Sequence, residues 1–565
     1  MVKDTIHHIV PVLVVGGGPA GMLAALQLAA NNAHCMLAER NLDTTRWPKM
    51  DITNCRSMEL LKRLGLADGL RKIGVPQHFS FDVLFTTGLA EPGKLITKWS
   101  LPSPNEWRDR IRKRNDGSMP REPYQRCSQA IFEAWLKPQV EANQNIDAFF
   151  GLKLVKLTET DTHVESELVD VHGQTHIVTS QYVIGCDGAG SKVRRELGIN
   201  LPGTTDGPEM KLVHFKSRDL TRLQKQGQFW HIFFSHGGGI IAQDEVSTWT
   251  VHCPIPPGSK AEDTTPEEAI YKVLGTATTP FPIKVDEILV TSVWQPSTRL
   301  ADSYTSPRKR VFLAGDAAHQ NIPTGGYGMN TAVGDSFDIG WKVAAVLNGY
   351  GGPLLLHSYE DERRPVAARN VERARTHASV HFTHREMVKD AGEKLHADTP
   401  EGKYLRSRVE KLVTEQDGEN RDHGIELGYR YRSAIVLDDA RDGDEPPFVM
   451  HSYIPSTWPG ARVPHVFLKD GTTSVYDTFG TGPQFTLVDF TPDGSYIRQF
   501  QADAEALSIP FKAVHLPEEE HAHKIWERDA VLVRPDDHAA WRAPPAGSSV
   551  ELEPKSILRK VLGWM

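Results

Sequence analysis

The stretch from Val12 to Glu39 constrains the fold more than any other part of this sequence. The β-branched run Val12-Leu13-Val14-Val15 ends in Gly16-Gly17-Gly18-Pro19-Ala20-Gly21, a GxGxxG pattern, and an Ala- and Leu-rich helical segment follows from Met22 to Ala30. A second apolar run, Cys35-Met36-Leu37-Ala38, ends at Glu39, 18 residues after Gly21. Strand, glycine turn, helix and strand in this order form a βαβ unit, the usual opening of a parallel α/β sheet. Gly16, Gly18 and Gly21 permit the tight turn and let backbone approach a pyrophosphate where Pro19 and Ala20 open the helix. Glu39, followed by Arg40, stands where a carboxylate accepts ribose hydroxyls, so a dinucleotide is expected here.

The same region contains the one stretch that resembles a membrane span. Ile9 to Ala30 is 22 residues without a charge, but it holds Pro11, Gly16, Gly17, Gly18, Pro19 and Gly21. That cluster is incompatible with a regular helix in lipid, and no basic segment precedes it, so no membrane span is expected. The net charge of −8 gives no basic field for nucleic acid. The five cysteines, Cys35, Cys55, Cys127, Cys186 and Cys253, are odd in number, form no CxxC and lie in apolar surroundings. Buried reduced thiols in a reducing compartment, the cytoplasm, are the expectation.

Two further motifs follow. Val183-Ile184-Gly185-Cys186-Asp187-Gly188-Ala189-Gly190-Ser191-Lys192 is close to a Walker loop, but its lysine follows the serine and the phosphate geometry fails. Val311-Phe312-Leu313-Ala314-Gly315-Asp316 is an apolar strand delivering Asp316 at its carboxyl end, where ligands of α/β sheets bind. It runs into Pro323-Thr324-Gly325-Gly326-Tyr327-Gly328-Met329-Asn330, whose glycines allow backbone N–H groups to approach a planar ring.

Taken together and in this order, the three motifs resemble those of the FAD-dependent aromatic hydroxylases, the single-component flavoprotein monooxygenases, over about the first 445 residues. The resemblance implies bound FAD, transient NADPH or NADH, and dioxygen. It places Gly16, Gly18, Gly21 and Glu39 on the ADP half, Arg126 and Gln129 beside the flavin, and Asp187 at both FAD and NADPH. Asp316 would bond the ribityl chain, and Pro323 with Gly326, Gly328, Met329 and Asn330 would lie along the isoalloxazine. Lys49 stands where many relatives carry an arginine, which keeps the charge and loses the bidentate fork. Asp51 occupies the position of an active-site aspartate in phenol-hydroxylase-like relatives, and Gly424–Ser433 is similar to the phenol and chlorophenol branch. Pro459–His465 and Leu532–Asp536 resemble the thioredoxin-like domain appended in that branch, without thiol chemistry because no cysteine follows Cys253.

The expected architecture is therefore α/β: a Rossmann-like FAD-binding domain over residues 1–205 and 301–445, an inserted antiparallel-sheet substrate domain over 206–300, and a thioredoxin-like domain over 446–565. The strands expected in the insert are Gln228–Phe234, Gly239–Gln243 and Trp249–Cys253, and in the last domain His465–Leu468, Phe485–Asp489 and Ala530–Val533. Helices are expected at Asn330–Leu347 and Tyr359–His384, a solvated loop from Leu101 to Pro123, and a linker near Arg441–Pro447.

The mechanism implied by the resemblance is oxygen delivery from a flavin 4a-hydroperoxide to a phenolic ring, with Asp51 and Pro323 as candidate catalytic residues. Removal of the phenol proton needs a base. Asp51 is the first candidate, against a plain loop or capping aspartate, and burial would raise its pKa. Gln243 and His252 are candidate substrate contacts, although strand alternation leaves their facing open. His377, His381 and His384 have metal-compatible spacing but no flanking acid, and a chain with 24 histidines yields such spacing by chance, so no metal is expected. His319 is as consistent with packing or capping as with reaction. Baeyer–Villiger oxygenation, a catalytically inert FAD protein and a plain NAD dehydrogenase are the competing readings. A homodimer is a family-level expectation.

Overall fold

In a computed structural model the chain is described over residues 5–49, 51–205, 207–437, 445–547 and 552–564. The first sheet has seven strands, and at its centre Ile6–Val15 lies parallel to both Cys35–Glu39 and Thr175–Gly185. Val311–Leu313 adds in parallel to Thr175–Gly185, while Val164–Asp170 and Leu152–Glu159 extend it as an antiparallel flap. The register pairs Val15 with Gly185 and Gly185 with Leu313. The residues that follow these strands therefore emerge at one level, which brings three motifs far apart in sequence to one edge of the sheet.

The helix Pro19–Ala30 is buried on nearly every side, packed between the sheet and the helix Tyr327–Leu347. This explains its uncharged composition: a helix covered all round is apolar all round, with or without a membrane. No described helix is long and apolar enough to cross a membrane. All five cysteines are free and buried.

The second sheet also has seven strands, in the order Glu287–Trp294, Met210–Lys216, Thr248–Pro254, Gly239–Ala242, His231–Phe234, Val83–Thr86 and Leu95–Trp99. Its last two strands come from the stretch assigned by sequence to the first domain, and Val83–Thr86 pairs in parallel with His231–Phe234. One face, with Leu84, Ile232, Ile240 and Val251, packs into a core that includes Ala269, Ile270 and Val273 of the helix Pro266–Leu274. The register places Phe85, Phe233, His231, Ile241, Thr250 and His252 on the other face.

The polar stretch Leu101–Pro123 is not a loop throughout. Pro104–Arg114 is a helix, opened by a capping box in which Ser103 accepts from the Glu106 N–H and Glu106 accepts from the Ser103 N–H. Its arginines face solvent near the carboxyl end, where they favour the helix dipole. The two long helices are Tyr327–Leu347 and Pro353–Val388, each extending beyond its sequence-based bounds. Residues 441–444 of the expected linker lie outside the described residues, and Glu445 pairs with Arg430 at 2.8 Å.

The C-terminal unit has a sheet ordered Phe511–His515, Phe485–Asp489, Ala530–Val533 and Ala539–Arg542. The first two strands are parallel and the rest antiparallel, in a βαβαββα chain order. His465–Leu468 forms no strand; Phe467 makes one isolated bridge to Ser474. This unit docks on the first domain through buried charges. Glu59 accepts from Arg462 Nε at 2.7 Å and Arg56 at 3.2 Å, and Arg534 grips both oxygens of Glu362 at 2.8 Å.

Candidate active site

At the glycine turn the backbone leaves no choice of residue at two positions. Gly16 has φ +110° and a Cβ there would lie 2.3 Å from the Cys186 carbonyl oxygen; one on Gly21 would lie 1.8 Å from the Gly16 oxygen. A Cβ on Gly18 would meet nothing within 4 Å, and this residue heads the helix without any side-chain cap. Uncapped N–H groups beside open space form a cradle for an anion, which fits a pyrophosphate. Glu39 accepts from the Gly17 N–H at 2.7 Å and from the backbone and side chain of Asn41 at 2.8 and 2.6 Å, which aims the carboxylate at the turn. Arg40 and Lys49 are exposed at the same mouth. Gln129 donates to Glu133 at 2.7 Å; burial pushes the Glu133 carboxyl up against the opposing pull of this bond and of Lys49.

The two other strand-end acids differ. Asp316 is exposed and makes no hydrogen bond among the described residues, leaving its carboxylate free for a polyol chain. Asp187 is engaged at the head of the helix Lys192–Glu196, accepting from Ser191 Oγ at 2.5 Å and the Lys192 N–H at 2.6 Å. Exposed Pro323 precedes Gly325 and Gly326, whose φ values of +79° and +64° make a tight bend ahead of the next helix, closed by the Gly326 N–H donating to the Pro323 carbonyl at 3.0 Å. Gly328 and Met329 are half-buried in the first turn of the next helix. The Asn330 side chain clamps this turn to the Ile52 strand, donating to the Ile52 carbonyl at 3.1 Å and accepting from the Asn54 N–H at 3.0 Å. His319 packs: it is fully buried, with Nε2 3.0 Å from Asp335.

Asp51 follows from this clamp, one residue before Ile52, against which Gly326 packs. It is no helix cap, because Asn54 caps the helix Cys55–Arg63. The Trp230 indole donates to its Oδ2, His231 Nε2 lies 3.6 Å from that oxygen, and Arg126 Nε lies 3.9 Å away. Burial alone would raise the Asp51 pKa, as the sequence reading expected. His231, Arg126 and the Trp230 N–H outweigh burial and hold the carboxyl below its usual value.

Arg126 turns into the second sheet. It is fully buried, pairs with Glu245, donates to the Ala242 carbonyl and lies over the rings of Phe81 and Trp230. Gln243 lies beside Thr250, and His252 lies within electrostatic reach of Asp51. Gln243 donates to Thr250 Oγ1 at 3.1 Å, and its Oε1 is buried without a partner. Trp294 Nε1 donates to His252 Nδ1 at 3.0 Å. An indole nitrogen only donates, so Nδ1 carries no proton and the neutral ring presents Nε2–H. Burial and nearby His231 lower the His252 pKa to about 4 against the pull of Asp51, so the neutral form prevails near pH 7.

On the far side of the Gly325 loop, Glu419 accepts the Gly325 N–H at 3.2 Å and pairs with His381 Nε2 at 2.6 Å. Burial opposes its charge, but His381, His377 and His231 hold its pKa at about 2. The three spaced histidines thus have separate partners: Tyr327 for His377, Glu419 for His381 and Ser235 for His384. Cys55, His423 and Glu426 do lie together, yet each is engaged, Cys55 Sγ by the Trp107 N–H and Glu426 by the Cys55 N–H and His423. Sequence reading missed His231, Trp230, Glu245, Trp294 and Glu419. They carry no motif, and only strand register and helix packing bring them to Asp51.

A family model described as an FAD binding domain matches residues 9–374, and one described as the aromatic-ring hydroxylase C-terminal domain matches 456–564. The chain is 46% identical over 96% of its length to the FAD-dependent monooxygenase apdD of Emericella nidulans, covering 89% of that protein. It is 27% identical over 98% of its length to a phenol 2-monooxygenase of a Pseudomonas species, covering 92% of it. The crystal structure of the flavin-dependent monooxygenase PieE with FAD and substrate superposes with a TM-score of 0.85 at 30% identity, covering 98% of this chain and 99% of that one.

Proposed function

Since the chain belongs to the FAD-dependent aromatic-ring hydroxylases and works as an FAD- and NAD(P)H-using monooxygenase, we propose that its substrate is a phenolic compound, bound between the second sheet and the Gly325–Gly326 loop and hydroxylated beside its ionisable hydroxyl. The observation that carries this reading is the polar set on one sheet face. His231 and His252 lie beside an ionised Asp51, and Gln243 Oε1 next to Thr250 has no partner. A site built for a plain hydrocarbon or a ketone would have no use for a carboxylate beside two imidazoles.

Bound FAD supplies hydride acceptance from NADPH and the activation of dioxygen. The chain holds it by the Gly16–Gly21 turn and Glu39 at the ADP half, with Arg40, Lys49 and Gln129 at the mouth, Asp316 on the ribityl chain, and Pro323 and the Gly325–Asn330 loop along the ring. Asp187 serves indirectly, by fixing the loop after Gly185 through its hydrogen bonds to the next helix. Arg126 orients the substrate sheet over the flavin through Glu245 and Ala242. His252 Nε2–H is a fixed donor to a substrate oxygen, and Gln243 Oε1 accepts a second substrate or water hydrogen. The C-terminal βαβαββα unit is thioredoxin-like and supports a homodimer, and the enzyme works in the cytoplasm.

The test is anaerobic flavin bleaching by NADPH with and without a panel of phenols. Acceleration by particular phenols, followed by a hydroxylated product in air, is the expected result. Fast bleaching indifferent to every phenol, with a ketone-derived ester as product, would refute it.

A further inference from the structure

We propose that His231 is the base that takes the proton from the substrate hydroxyl, with Asp51 as the positioning carboxylate that orients it and balances its charge. The proposal rests on the phenolic reading above. Two facts set Asp51 aside as the base itself. Its Oδ2 already accepts the Trp230 indole N–H, and the surrounding donors and charges keep its carboxyl weakly basic.

His231 has the complementary properties. Its Nε2 is buried, makes no hydrogen bond and lies 3.6 Å from Asp51 Oδ2. The carboxylate favours the tautomer with the proton on that nitrogen, which leaves Nδ1 with a free lone pair. Nδ1 makes no hydrogen bond and is not among the buried unpartnered atoms, so in a side chain 16% exposed it remains accessible. Trp230 and Phe233 fix the ring, with centroids 4.3 and 5.7 Å away. The other ionisable groups acting on this corner are Arg126 behind Asp51, His252 on a nearby strand of the sheet, and Glu419 with His381 across the cleft. A new imidazolium thus meets two carboxylates, with the Arg126 charge already matched by Glu245.

In the step itself the substrate O–H bond breaks, its electron pair stays on oxygen, and the proton forms a bond to Nδ1. The imidazolium is stabilised by Asp51, and the ring carbon becomes the nucleophile that oxygen transfer requires. No oxidant or reductant enters, and the proton later leaves to water.

The FAD-loaded enzyme can be titrated with 4-nitrophenol below the probe's own ionisation pH, because its phenolate absorbs visibly. Wild type should bind it as phenolate. His231→Gln should bind it as the neutral phenol and lose about 10²–10⁴-fold in hydroxylation of the best phenol of the panel, the range for a general base, with an unchanged FAD spectrum. Asp51→Asn should reduce the phenolate yield with His231 in place, and imidazole should restore part of the lost rate in His231→Ala. Equal phenolate formation in wild type and His231→Gln, or no rescue by imidazole, overturns the assignment. No binding of 4-nitrophenol or any panel phenol to wild type overturns the phenolic reading, and this proposal with it.

Discussion

Two buried polar regions of this molecule arrange their charges differently. At the seam with the C-terminal unit the carboxylates are enclosed by cations, although Arg56 Nε and Arg462 Nη1 have no partner: Glu59 takes hydrogen bonds from Arg462, Arg56 and the Arg121 N–H, and Glu362 takes them from Arg534 and Lys342. In the cleft around Asp51, Gln243 Oε1, His231 Nε2 and Arg126 Nε are buried without partners. An unpaired buried polar group costs about 1–3 kcal/mol, and a substrate hydrogen bonded to Gln243 Oε1 would remove that cost. The seam uses charge for cohesion and the cleft holds it ready for binding. Damage to the seam should therefore appear as lost stability, and damage to the cleft as lost chemistry.

Glu59→Gln should separate the two most sharply. It removes the carboxylate paired with buried Arg462, and one of the two facing Arg56, which keeps Asp537; breaking comparable buried pairs costs about 3–5 kcal/mol, and a fall in thermal midpoint reports it. A wild-type midpoint with impaired hydroxylation would break the comparison. Acid acts on the same seam more gradually. Burial opposes the charge of Glu59, but Arg462 and Arg56 hold its folded pKa at about 2. Its contribution is complete above the unfolded value of about 4.3 and is lost as pH falls from there toward 2. Denaturation followed by near-UV circular dichroism should show that loss in this window, and Glu59→Gln should abolish this component.

Gly18→Ala is the counterpart on the cofactor side. The backbone there, φ −76° and ψ −175°, accepts alanine, so stability should change by about 1 kcal/mol or less. The new methyl occupies the pyrophosphate cradle, and FAD affinity should fall at least about tenfold, read by flavin fluorescence. Trp294→Phe is the mildest change. It removes the donor that fixes the His252 tautomer and should cost about 1 kcal/mol of substrate binding, a severalfold rise in KM with kcat nearly unchanged.

The legibility of these regions in the sequence differs for a physical reason. The βαβ start, Asp316 and the Gly325–Gly326 loop were readable because each is a local solution: a turn that only glycine makes, or an acid at the end of its own strand. The helix Pro104–Arg114 was also locally encoded, by Ser103 and Glu106, but the arginine run drew attention to solvation instead. The second sheet was readable as short strands, not as a set, because recruitment of Val83–Thr86 beside His231–Phe234 is a pairing across 145 or more residues.

By itself, then, the sequence determined the cofactor cradle. Gly16, Gly21 and Glu39 act through backbone conformation and close approach within a span of 24 residues, and those forces are local. The identity of the groups around Asp51 was decided only by tertiary structure. The sheet register turns His231 and His252 toward Asp51, and Arg126 sits between Asp51 and Glu245. The net effect of the neighbours on Asp51, opposite in sign to that of burial alone, depends on charges and donors from two distant stretches of chain, Arg126 and Trp230–His231, whose distances no local pattern specifies.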